Sequence, residues 1–232
     1  MLCWKIGQRK RMEKGKIVDI NEKTGMAIIH APIDIFKFIK QEIKECNVEY
    51  LDSRPLSDKQ RRFCYSIIKA IADYTGENVE AEKEILKMEF MTERVETLGD
   101  KMFSLSNAPM SLIANFENYL VDFVLAWDIP IKFPLREYVN DIEAYVYSCL
   151  LHKKCCISGK SIVDLHHFGD DKIGMGNDRN EVHHLGRKAL PLSREYHNEI
   201  HTIGDNEFIK KWHLCEGIPL DKSLCKLYRL KP

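Results

Sequence analysis

Residues 164–167 read DLHH, and residues 193–201 read SREYHNEIH. A neutral imidazole binds divalent metals, and its ordinary pKa lets it take a proton near pH 7. His197 and His201 stand four apart in a stretch with helical character, so both rings emerge on one face, one turn apart. That is metal-ligand spacing. His166 and His167 are adjacent at the end of an expected strand, where successive side chains point opposite ways. One of them can join the helix pair on a common ion. The other stands on the opposite side of the strand end, a short distance away. An HxxxH pair alone is more often surface decoration, and an HH pair alone is weak. The signal is all four in this order and spacing, with the P-L-S frame and a helix stopped at Gly204.

That division suits phosphodiester hydrolysis. The reaction needs an activated water, neutralised phosphate charge and help for the leaving oxygen. A neutral histidine can take the proton from water, and a divalent cation can stabilise the developing charge. Eight of the nine histidines lie in 150–232.

HH followed by P-L-S-x-x-Y-H-x-x-x-H, then IGDNEFIKKWHLCEGIPL, resembles the HNH (ββα-metal) nucleases over about 150–220. It is especially similar to the phage group of recombination-associated, Ref-like enzymes. The resemblance implies His166 as a metal ligand, His167 as general base, and His197 and His201 as the remaining ligands. It implies one divalent ion, Mg or Mn; three imidazoles could also hold Zn or Ni. Many such nucleases carry two C-x-x-C-type pairs around a structural zinc. Here the matching positions are Cys155, Ser158, Ser193 and Tyr196, so no structural zinc is expected. Where some relatives have the middle Asn, this chain has Lys188. His184 or His183 is then left to orient the base, with a structural or solvent-facing role as the alternative. Arg187 and Lys188 could meet the scissile phosphate or form a solvated basic patch.

The elements that must position these residues can be read from pattern. VDLHHFGD is a strand and turn, GDDKIGMGNDRN a Gly- and Asp-rich surface loop, and KALPL a second strand. Residues 194–202 form a helix, followed by a second one, DNEFIKKWHL, with Asp205 as its cap. Upstream, 16–20 and 26–31 are two short strands around a turn at Gly25. The stretch from Pro32 to 46 suits an amphipathic helix, and 48–51 a third strand. Ser57 caps a helix that Gly76 stops. A further helix covers about 80–92. FSLSNAP at 103–109 is a short strand and turn. Residues 111–127 form a strongly apolar helix, and 135–151 a helix joining two domains. The fold class is α+β, divided as 1–134, a linker helix 135–150, and 151–232.

Length and charge set bounds. The 232 residues carry no net charge, but residues 1–20 are net +4 and 150–232 net +3, leaving about −7 between them. The ends could meet phosphate; the middle is a poorer footprint. No apolar run is long enough for a membrane span, and the N-terminus has no signal-peptide pattern. A cytoplasmic location in a bacterial host is expected. The eight cysteines form no C-x-x-C pair, and they read as reduced thiols.

The run from VEYLDSRPLSDKQ to KMEF, continued by FSLSNAPMSLIANFENYLVDFVLAWDIPIKF, resembles the NinB/Orf recombination mediators over about 16–134. That implies binding to single-stranded DNA, contact with single-strand binding protein, and a homodimer. Arg61 and Arg62 become phosphate-contact candidates. The alternative is a helical scaffold that positions the nuclease. Together these features lead to the expectation of a phage metal-dependent endonuclease acting on single-stranded or branched DNA in recombination or replication, alongside a recombinase. The competing reading is a non-cutting, single-stranded-DNA-binding mediator with a degenerate HNH module.

Overall fold

A computed structural model describes residues 15–42, 44, 54–93, 102–161, 163–173 and 181–232. The chain divides into two units, 1–51 and 52–232. The strand expected at 48–51 and residues 174–180 of the surface loop lie outside the described residues.

In the first unit, β1 (Lys16–Asn21) and β2 (Met26–His30) form an antiparallel hairpin. Asn21 sets the turn, its Oδ1 accepting from the backbone N–H of Lys23 and Thr24. α1 (Ile35–Lys40) begins at Asp34 rather than at Pro32, because the Asp34 carboxylate accepts from Lys37 N.

The second unit starts with α2 (Asp58–Thr75), opened by a reciprocal capping box between Ser57 and Gln60 and closed by a left-handed Gly76. Its apolar face, Phe63, Ile67, Ile68 and Ile71, is buried. α3 (Val79–Glu93) and α4 (Met110–Ala126) pack on it, with Phe90, Phe103 and Phe116 in mutual edge-to-face contact. Of the short strand and turn expected at 103–109, the turn forms and the strand does not. Ser104 draws it closed, accepting from Ser106 N through its hydroxyl and from Ala108 N through its carbonyl. The helix expected over 135–151 forms as a single 3-10 turn, Leu135–Glu137, and then α5 (Ile142–Leu151). Asp141 causes the break, since its carboxylate caps the new helix by accepting from Ala144 N.

α5 packs on α4 and on the sheet that follows. Val146, Cys149 and Leu150 are fully buried in one apolar cluster that runs from Leu56 to Cys225. The expected linker segment thus lies within the second unit. The sheet has the order β3 (Asp164–His167), β4 (Lys188–Leu192), β5 (Ile218–Pro219), all antiparallel. Pro191 is tolerated in the middle strand because β5 pairs only with Lys188 and Ala189. α6 (Arg194–Ile203) follows β4 after one residue and packs on β3 and β4 through Ile200. α7 (Asp205–Trp212) and α8 (Lys222–Leu227) complete the unit. Mixed helices and small antiparallel sheets make this an α+β fold. Among the described residues no helix is long and apolar enough to cross a membrane.

Candidate active site

The site sits where β3, β4 and α6 meet. His166 and His167 pair across the ladder with Leu190 and Ala189. Strand alternation sends the two histidines to different neighbours. The His166 ring centroid lies 5.3 Å from that of His197 and 5.0 Å from that of His201, and those two are 4.7 Å apart. One nitrogen from each of the three falls within 4.8 Å of the others. Nitrogens bound to one ion at about 2.1 Å lie at most roughly 4.2 Å apart, so a small side-chain adjustment brings all three onto it. Burial is graded: His166 is 2% exposed, His197 half-buried and His201 exposed. Burial pushes the His166 imidazole down to about 4, against the raising influence of Asp205. It is therefore neutral, as a metal ligand must be.

His167 turns the other way. Its Nε2 lies 2.9 Å from Nδ1 of the fully buried His184, one ring donating and the other accepting. His184 is fixed by its backbone, whose N–H donates to Lys231 O. His183, by contrast, bonds through Nδ1 to Pro232 O and does not join the pair. His152 is bonded to Asp122, and His213 ends α7 in a left-handed conformation.

Three of the four basic candidates sit in protein contacts. Arg187 donates to His183 O and Asp171 O, lacing together the loops on either side of His184. Lys188 is ion-paired with Glu216. Arg61 donates to Leu105 O and Ser106 O, 40% exposed and beside Asp58. Arg62 is exposed on α2. At the positions matching a zinc knuckle, Ser158 N donates to Cys155 Sγ and Tyr196 packs edge-on against Trp212. Ser193 Oγ is buried without a hydrogen-bond partner among the described residues.

Asp205 was expected as a helix cap, but Gly204 occupies that place. Gly204 has φ 84°, a conformation that suits glycine. It ends α6 and swings Asp205 toward β3. There Asp205 Oδ1 lies 3.3 Å from His166 Nε2 and 2.7 Å from Lys172 Nζ, and Oδ2 accepts from Gly169 N at 2.8 Å. Burial opposes ionisation, but the bonds from Lys172 and Gly169 outweigh it and hold the carboxyl below its usual range. The residue could have been noticed, since 197, 201 and 205 continue one four-residue spacing.

The family described as "Putative HNHc nuclease" matches residues 30–231, nearly the whole chain. The chain belongs to the HNHc nuclease family. No curated protein and no solved structure matches it. HNH nucleases generally use one divalent metal, and the donor set of three clustered imidazoles fits such an ion.

Proposed function

We propose that the chain is a metal-dependent HNH endonuclease that hydrolyses DNA phosphodiester bonds. His166, His197 and His201 hold one divalent ion, Mg or Mn by preference, although an all-imidazole set also suits Zn or Ni. The ion, when bound, neutralises charge on the phosphate and the leaving oxygen. His167 takes a proton from the attacking water. The imidazolium so formed donates from Nε2 to His184 Nδ1, a bond that strengthens as charge develops. His184 is thus the orienting partner of the base.

The observation that carries this reading is the division of the HH pair. One ring joins the three-imidazole cluster and its neighbour pairs with a buried histidine. The helical part, through about residue 134, is proposed to bring the nuclease part, 151–232, to single-stranded or branched DNA in phage recombination or replication. That proposal rests on the likeness to recombination mediators. Contact with single-strand binding protein and a recombinase, and homodimer formation, belong to the same proposal. Arg62, exposed on α2, is the best placed of the four basic candidates to meet a phosphate.

The test is incubation of labelled single-stranded, duplex and branched DNA with the protein in Mg, Mn or EDTA. Cutting that depends on the ion and favours one substrate supports the reading. Binding of single strands without cutting under every ion supports the mediator alternative.

A further inference from the structure

We propose that Asp205 is a positioning and ion-selecting residue, with Lys172 as its counter-charge. This rests on the reading of His166, His197 and His201 as the ion's ligands. The Asp205 side chain is only 10% exposed, and three groups converge on its carboxylate: the His166 ring, the Gly169 N–H and the Lys172 ammonium. Two of these come from the turn that follows the ligand strand. Asp205 itself comes from the helix that follows the ligand helix. One side chain therefore ties both ligand-bearing elements together beside the least exposed of the three imidazoles.

A purely architectural carboxylate would need only Gly169 and Lys172. Oδ1 instead sits between Lys172 and His166 Nε2, 2.7 Å from the first and 3.3 Å from the second. With Nε2 facing Asp205, His166 would give Nδ1 to the ion. A carboxylate on the nitrogen a ligand histidine does not give to the metal fixes the ring and raises its basicity, and its loss typically costs about 10–100-fold in metal affinity. This carboxylate also adds a negative charge beside the three-imidazole cluster. That favours a hard ion such as Mn or Mg, which gains little from imidazole, over Zn, which gains much. Lys172 acts in the opposite sense. Its ammonium offsets the Asp205 charge and repels an incoming cation.

Asp205 and Lys172 thus oppose each other, which an architectural ion pair would not do. Breaking a structural pair from either side weakens the site. Breaking this one from the carboxylate side weakens ion binding, and from the lysine side strengthens it.

Calorimetric titration of Mn and Zn into the metal-free full chain reads this directly, for wild type, Asp205→Asn, Asp205→Ala and Lys172→Met. Asp205→Asn should weaken Mn binding by roughly 10–100-fold and Zn binding by less. Lys172→Met, a change at a half-exposed side chain, should tighten Mn binding by roughly threefold. Equal Mn affinity in wild type and Asp205→Asn would overturn the inference. So would weakening in both Asp205→Asn and Lys172→Met. If Asp205→Ala fails to fold, the isosteric Asp205→Asn and the Lys172 variant still decide. A wild type that takes up neither ion overturns the ligand reading itself, an outcome distinct from the other two.

Discussion

His201 offers a clean separation of metal binding from folding. Its imidazole is exposed, so His201→Ala removes little packing and should shift metal-free stability by no more than about 0.5 kcal/mol. Yet it is one of three clustered donors, and two imidazoles hold an ion far less well than three. An ion at one hundred times its dissociation constant stabilises the folded state by about 2.7 kcal/mol. For a chain of this size each kcal/mol is worth roughly 2–4 °C of melting temperature. Wild type should therefore melt roughly 5–10 °C higher in saturating Mn than in EDTA. His201→Ala should match wild type in EDTA to within about 2 °C and lose most of the Mn shift. Differential scanning calorimetry at pH 7.5 measures both quantities. An undiminished Mn shift in the variant would refute the assignment of His201, and a wild type indifferent to Mg, Mn, Zn and Ni would refute the cluster as a metal site.

Three further outcomes follow from the structure. His184→Ala removes a fully buried ring and its bond to His167; it should cost about 2–4 kcal/mol in urea unfolding and lower cleavage while leaving Mn affinity near wild type. Ser57→Ala breaks the capping box that opens α2 and should cost about 1 kcal/mol, read as a lower urea midpoint at unchanged slope. The third concerns acid. His166 is held near 4 in the folded chain against an ordinary value of about 6.5 when unfolded, so between these values the unfolded chain binds more protons. The His166 contribution is then complete above about pH 6.5 and falls as pH drops toward 4. By pH 5 about 2 kcal/mol of it is lost, so metal-free wild type should lose more stability between pH 7 and pH 5 than His166→Gln does.

What could be read from the sequence was what depends on near neighbours. Ser57 and Gly76 bound α2 because a hydroxyl cap and a left-handed glycine act within one turn. Strand alternation and a four-residue helical spacing place one of His166 and His167 with His197 and His201; the family resemblance points to His166, which the structure groups with them. What was missed turned on competition or on distance. Asp205 has the composition of a cap, and although it continues the four-residue spacing of 197 and 201, it is the Gly204 conformation that turns it toward His166. Asp141 interrupts an otherwise helical pattern by starting a new helix, which periodicity alone does not reveal. Ser104 closes the turn at 103–109 so tightly that the short strand expected beside it does not form. Arg187 and Lys188 find their partners 4, 16 and 28 residues away, so their use in holding loops rather than standing open to phosphate is invisible along the chain.

The most direct test of the central claim is cleavage by His167→Ala measured beside its Mn affinity. A lost general base should slow DNA cutting by about 10²–10⁴-fold, with Mn binding retained because His166, His197 and His201 are untouched. Cutting at the wild-type rate by a folded, Mn-binding His167→Ala protein would contradict the account.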